Sequence, residues 1–205
     1  MAELIKEIKI MAPGFARAFP TIASFSAIML TVYTGKYEGL YLLGGLLLNE
    51  CINDFLKNFV AKPLMKNNSI PILGIGKRPK GAKNTSIFLS ENIEEQKKLS
   101  TSYGMPSGHS QNATFFSTYL ILHILNGGGL QDSIGKMISI GLLILLALYV
   151  LASRVYLNCH TTQQVIVGGL IGSGLGGGYY TLVKKYLSVW FIYVYLCSYW
   201  SFFSF

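Results

Sequence analysis

The sequence predicts an all-α fold, a polytopic membrane helix bundle of about six transmembrane helices, and three observations carry that prediction. Only 13% of the 205 residues are charged, about half the share of an average soluble domain. The hydrophobic residues, 51% of the chain, come in long runs, and a run of about twenty is what crosses a hydrocarbon core of roughly 30 Å. Eight of the 17 basic residues are gathered into one hydrophilic segment between two such runs.

Residues 1–14 set Leu4, Ile5, Ile8 and Met11 on one helical face, with Glu3, Lys6, Glu7 and Lys9 largely elsewhere. That pattern reads as an interfacial helix. The first span runs from about Ala18 to Tyr33 and is expected to stay as an anchor, because no short apolar core followed by a small-residue cleavage site stands out. The second runs from about Gly39 to Val60, interrupted by Asn49, Glu50, Asn53 and Asp54. Such groups either face other helices or a wet cavity, or mark a helix that leaves the bilayer early.

The segment from about Ala61 to Met105 is polar, stiffened by Pro63, Pro71 and Pro79, and long enough to be a functional loop. Ser90–Lys98, with an acidic first turn and a basic end, reads as a short solvated surface helix. The third span opens at His109 and ends near Leu125, the fourth covers about Lys136–Tyr156, the fifth Thr161–Val183 and the sixth Tyr186–Phe205. This alternation puts the end of span two, the start of three, the end of four and the start of five on one membrane face. A single domain, 1–205, is expected.

In the fifth span Gly168, Gly172 and Gly176 recur every fourth residue, which allows close helix contact either inside the monomer or across a homodimer. The aromatic tail, including Trp190, Tyr193 and Trp200, reads as a terminal span with interfacial anchors or as a groove for lipid chains. Cys51, Cys159 and Cys197 lie in or beside apolar runs and suit small buried side chains better than disulfides. His123 lies fourteen residues beyond His109, roughly 20 Å along one helix at about 1.5 Å per residue, too far to share its chemistry.

The net charge of +8 fits nucleic acid, anionic lipid or a phosphate-bearing substrate. Eight basic residues, Lys62, Lys66, Lys77, Arg78, Lys80, Lys83, Lys97 and Lys98, sit in the polar segment, and no nucleic-acid module with interleaved aromatics accompanies them. Anionic membrane ligands are therefore the expected partners, and nucleic acid is not.

Two clusters carry the chemistry. Pro106-Ser107-Gly108-His109 opens the third span: proline suits a first helical turn, Gly108 lets a ligand approach the backbone, and free amides there bind an anion beside a titratable imidazole. Read alone, the string is equally an ordinary helix cap. Ser153-Arg154, at the end of span four, and His160, at the start of five, form the second cluster. A guanidinium at membrane depth needs a partner and its fork suits a phosphate; the bland reading is an arginine that snorkels.

In order and spacing these clusters resemble the type 2 phosphatidic acid phosphatase superfamily, with signatures Lys-x6-Arg-Pro, Pro-Ser-Gly-His and Ser-Arg-x5-His-x3-Asp. The resemblance spans Lys57 to Gln164. The second signature is intact, and the third holds Ser153, Arg154 and His160 but has Gln164 where the aspartate belongs. In the first, counting from Lys57 puts the arginine and proline on Leu64 and Met65, yet Arg78-Pro79 comes fourteen residues later. The expectation is that Lys57 keeps its role and an enlarged loop delivers Arg78, with Lys77 or Lys62 as substitutes. Gln164 one turn after His160, in this string of neighbours, is similar to the dolichyl diphosphatase branch.

What the resemblance implies is a metal-independent lipid phosphatase with no cofactor, acting on a polyisoprenyl diphosphate. Lys57, Arg78, Arg154 and the Ser107 and Gly108 region would hold phosphoryl oxygens. His160 would attack phosphorus to form a phosphohistidine, His109 would protonate the leaving oxygen and then activate water, and Gln164 would orient His160. The rivals are a broader phosphatase acting on phosphatidate or related monophosphates, and an inactive membrane scaffold. The resemblance places the site on a lumenal or extracytoplasmic face; counting Lys and Arg favours the cytoplasmic one. Asn67-Asn68-Ser69 and Asn84-Thr85-Ser86 have the form of glycosylation acceptors that would decide it.

Overall fold

A computed structural model of the chain describes residues 2–65, 76–79, 82, 103–128 and 132–187, with side chains described from residue 14. The expected surface helix at Ser90–Lys98, the sixth span, the aromatic tail and both glycosylation acceptors lie outside these residues. Five long helices form the bundle: α1 (Ala2–Thr34), α2 (Glu38–Phe55), α3 (Gly108–Leu125), α4 (Ser133–Tyr156) and α5 (Thr162–Leu182). α2 continues through a π-helical turn, Leu56–Ala61, and one α turn, Lys62–Met65. α5 likewise ends in a π turn, Val183–Leu187. Residues 2–14 are the beginning of α1, which runs unbroken into the first span.

The burial pattern is that of a membrane protein. Phe25, Val32, Leu47, Leu142, Leu145 and Leu170 are exposed, whereas Asn49, Asn53, Ser110, Gln111 and Asn112 are buried, an inversion of the soluble rule. Among the described residues three segments are long and apolar enough to cross a bilayer: Gly14–Thr34, Ser133–Tyr156 and Thr162–Tyr186. The chain is an integral membrane protein and a polytopic helical bundle.

α3 sits at the centre and touches each of the other four helices, which explains its polarity. Its buried amides satisfy those of α2: Asn49 Nδ2 donates to Asn112 Oδ1 at 2.5 Å, Asn53 Nδ2 to Gln111 Oε1 at 2.7 Å, and Gln111 Nε2 to the carbonyl and Oδ1 of Asn49 at 3.0 and 2.9 Å. Glu50 accepts from Asn112 Nδ2 at 2.8 Å. Asn49 and Asn53 therefore face another helix, Glu50 reaches Asn112 from an exposed position, and Asp54 points outward.

Away from this network the core is apolar: Phe19, Ala23 and Ala27 of α1, Leu42 and Leu46 of α2, Ala113, Phe115 and Phe116 of α3, and Val150 of α4. Phe19 meets Phe116 edge to face, with ring centroids 5.8 Å apart. The glycine ridge of α5 lies against α3. A side chain at Gly168 would meet the Ser107 backbone, at Gly172 the Gln111 carbonyl and at Gly176 the Phe115 carbonyl. This ridge is occupied inside the monomer, and the outward positions of α5 are Gly174 and Gly178.

Candidate active site

The C-terminal ends of α2 and α4 and the N-terminal ends of α3 and α5 meet at one end of the bundle, the register expected from the alternation of spans. At the end of α4, Asn158 adopts a left-handed backbone, φ 53°, which asparagine tolerates. The chain then folds back so that Cys159 and His160 amides both donate to the Arg154 carbonyl, at 3.0 and 3.3 Å. Arg154 and His160 are thereby locked side by side, 1% and 4% exposed. Thr161 caps α5 in a capping box with Gln164.

The His160 ring is held by two acceptors. Its Nδ1 lies 2.9 Å from the Gly104 carbonyl and 3.3 Å from Gln164 Oε1. Carbonyl oxygens only accept, so Nδ1 carries the proton and Nε2 keeps its lone pair. Burial, and then the charges of Arg78 and Arg154, hold the imidazole well below its ordinary range; the two acceptors act in the opposite direction without reversing the result. The ring is a neutral, oriented base or nucleophile. Gln164 has a second task, donating through Nε2 to the carbonyls of Gly76 and Lys77 at 3.3 and 3.2 Å. An aspartate has no such donor.

Those contacts bring in the long loop. Lys77 pairs with Tyr103 in an antiparallel bridge, and the Gly104 amide donates to the Gly76 carbonyl at 3.1 Å. The stretch at Gly76 and Lys77 is stitched to the far end of the polar segment, and Arg78 is set over the site. Its charge acts on His160, on His109 and on Lys57, and its Nε is buried with no hydrogen-bond partner among the described residues. Lys77 and Lys62 are exposed.

On the α3 side, Ser107 caps the helix in an extended conformation, φ −70° and ψ 111°. Pro106 precedes the cap instead of entering the first turn, because the cap position needs an extended residue and serine is favoured there. The Ser107 amide is engaged by the Gln164 carbonyl at 3.2 Å, and its Oγ accepts from Ser110 Oγ at 2.9 Å. Its own hydroxyl hydrogen can thus be turned to a ligand. The amides of Gly108, His109 and Ser110 are first-turn groups that a helix cannot satisfy internally. Lys57, on the π turn after α2, brings Nζ to 3.6 Å from the place a Gly108 side chain would occupy. Its ion pair with Asp54 is long, 4.0 Å, and Asp54 is largely in solvent, so little of the Lys57 charge is neutralised.

His109 is anchored by a residue sequence reasoning missed. Its Nε2 donates to the Arg17 carbonyl of α1 at 3.0 Å, leaving Nδ1 as the free ring nitrogen. Arg17 had one signal, a charge at the edge of an apolar span on the site face. Gly104 was missed as well, and a backbone carbonyl leaves no trace in a motif. His123 lies at the other end of the bundle, 3.5 Å from Glu38. Among the described residues no three His, Cys, Asp or Glu side chains gather as a metal-ligand set.

Two imidazoles with fixed tautomers beneath lysine and arginine charges, at the end of a membrane helix bundle, define a class of phosphate-handling membrane protein. The chain belongs to the PAP2 superfamily, whose sequence model matches residues 38–188. It is 30% identical over 176 residues to Dolichyldiphosphatase 1 of Homo sapiens, covering 82% of this chain and 63% of that protein. It is 32% identical over 152 residues to the Dolichyldiphosphatase of Saccharomyces cerevisiae, covering 74% and 54%. With Lipid phosphate phosphatase gamma of Arabidopsis thaliana it shares 27% over 161 residues, 78% and 60% of the two chains. The chain thus spans less than two thirds of the length of these relatives. No solved structure matches it.

Proposed function

We propose that this chain is a lipid phosphatase that hydrolyses a polyisoprenyl diphosphate to the monophosphate through a phosphohistidine and without a metal. The observation that carries the reading is the fixed tautomer of His160, whose unprotonated Nε2 lies among the charges of Arg78 and Arg154. His160 attacks the terminal phosphorus, the N–P bond forms as the bridging P–O bond breaks, and Lys57, Arg78, Arg154, the Ser107 hydroxyl and the amides from Gly108 onward take up the charge on the phosphoryl oxygens. His109, held by Arg17 through Nε2, takes up a second proton at Nδ1 when the anionic substrate binds, gives that proton to the leaving oxygen, and then regains one from the water that cleaves the phosphohistidine. Gln164 and the Gly104 carbonyl orient the nucleophile.

The diphosphate preference rests on the relatives named dolichyldiphosphatase and on Gln164. Phosphatidate or a related monophosphate is the second reading, favoured by the relative named for lipid phosphates. The bond of Gln164 to His160 and the action of the Arg78 charge on it support an active enzyme over an inactive scaffold. In this reading 61–105 is the active-site loop of a single domain, and the site faces the lumenal or extracytoplasmic side; the basic loop residues serve the substrate and do not report topology. Labelling an exposed cysteine introduced at Lys62 from either side of sealed vesicles tests the face.

The decisive experiment measures phosphate release by purified protein from polyprenyl diphosphate and from phosphatidate, with and without chelator. Faster release from the diphosphate, unaffected by chelator and abolished in His160→Ala, is expected. A preference for phosphatidate overturns the substrate, chelator sensitivity overturns metal independence, and surviving activity in His160→Ala overturns the nucleophile.

A further inference from the structure

Arg17 does more in the structure than lend a carbonyl to His109. Its Nε is buried without a hydrogen-bond partner among the described residues, and the two ion pairs among those residues, Lys57–Asp54 and His123–Glu38, do not involve it. Its charge acts on Arg154. A buried guanidinium at Arg154 and a half-buried one at Arg17, which repel one another, the latter without an acidic partner among the described residues, are the arrangement an anion stabilises.

Position gives that anion an identity. Arg154 is joined to His160 through its own carbonyl, so it flanks the attacking side. Arg17 is joined to His109, the group assigned to the leaving side. One turn further along α1, Pro20, Thr21 and Ser24 line a cavity of about 250 Å³ with Leu46, Leu47 and Glu50 of α2 and Asn112 of α3. Arg17 thus meets His109 on the leaving side through its carbonyl and Arg154 through its charge, and one turn beyond it a cleft opens between α1 and α2 whose leucines suit the start of a lipid chain.

We propose that Arg17 binds the lipid-side phosphoryl group of a diphosphate and thereby sets the preference for diphosphates over monophosphate esters. This rests on the phosphatase reading above. When a diphosphate is cleaved the bridging oxygen departs on a lipid monophosphate, which carries negative charge as a group; a fixed cation beside it stabilises the transition state directly. When a monophosphate ester is cleaved the leaving group is an alcohol, which needs the proton from His109 and has no second phosphoryl group for Arg17 to hold. The guanidinium fork suits two phosphoryl oxygens at once, which an ammonium does not. The carbonyl that anchors His109 is backbone and survives any substitution at position 17.

The test compares wild type, Arg17→Met and Arg17→Lys for kcat/KM on polyprenyl diphosphate and on phosphatidate, and for the rise in unfolding temperature produced by inorganic pyrophosphate and by orthophosphate. In Arg17→Met the loss on the diphosphate is expected to exceed the loss on phosphatidate at least tenfold, and the extra stabilisation by pyrophosphate over orthophosphate is expected to vanish. Arg17→Lys, which keeps the charge without the fork, falls between and carries the test if the methionine variant does not fold. Equal losses on both lipids, or an unchanged pyrophosphate advantage, overturn the proposal. Should the wild type prefer monophosphates, the substrate reading fails by itself, and the two anions still report on Arg17.

Discussion

Adding one methyl group at Gly168 is predicted to damage the site more than the fold. The position is on α5, two turns from His160, and touches no substrate. A Cβ there would lie 2.7 Å from the Ser107 carbonyl oxygen and 3.0 Å from the Ser107 nitrogen, where 3.4–4 Å is ordinary contact. Backbone must therefore give by 3.4 − 2.7, about 0.7 Å. What gives is the turn that sets Ser107, Gly108 and His109, tied to α5 by the bond from Ser107 N–H to the Gln164 carbonyl.

Overpacking costs about 1–3 kcal/mol, while replacing glycine by alanine inside a helix returns about 1 kcal/mol. Gly168→Ala should then lose at most about 2 kcal/mol of stability. Catalysis is less forgiving, since a misplacement of about 1 Å costs on the order of 100-fold. A fall in kcat/KM of roughly 10- to 100-fold is expected from a shift of this size. Phosphate release and thermal unfolding in detergent are the measurements, with Gly174→Ala, which has nothing within 4 Å, as a control that should behave as wild type. Activity of Gly168→Ala within threefold of wild type would refute the idea that this contact fixes the catalytic register.

Arg78→Ala should lower kcat/KM by about 10- to 100-fold, the worth of a charge-assisted bond of about 1.5–3 kcal/mol, while Lys77→Ala, exposed, should stay within about threefold; steady-state kinetics reversing that order would return the first signature's role to Lys77. His160 is neutral in the fold but takes up a proton near pH 6.5 when unfolded. Stability should therefore fall as pH drops below about 6.5, by up to about 1.4 kcal/mol per unit. Thermal unfolding against pH should show a shallower slope for His160→Asn, and an unchanged slope would mean that His160 is not held neutral. Gln111→Leu strands Asn53 Nδ2 and an Asn49 acceptor and should cost about 1–3 kcal/mol for each, read as a lowered unfolding temperature.

Much of this site was legible in the sequence because its parts are side chains at fixed spacing. Pro106 to His109 and Ser153 to His160 announce themselves, and alternating spans place them on one face. The displaced Arg78 was readable as a candidate, but its delivery depends on the Lys77–Tyr103 bridge and on the two Gln164 bonds to loop carbonyls, pairings across stretches of sequence that no local pattern encodes. Gly104 and Arg17 act on the histidines through backbone carbonyls, which every residue owns. For the same reason the polar residues of the second span left two readings open until Gln111 and Asn112 were seen to face them.

These hidden contacts also bear on why the third signature can carry glutamine. An aspartate at position 164 would supply negative charge to His160, raising its proton affinity where Arg78 and Arg154 now lower it. Glutamine forgoes that charge, and in return its amide ties Gly76 and Lys77 to α5, so that the loop carrying Arg78 is held by the residue that orients the nucleophile. With the Arg–Pro pair moved fourteen residues along the chain, the loop has no short tether to α2. Gln164 and the Gly104–Gly76 bond are the tethers the described residues provide. The two departures from the signature are thus physically linked, since a long loop needs a donor at position 164 and glutamine supplies one while keeping an acceptor for His160.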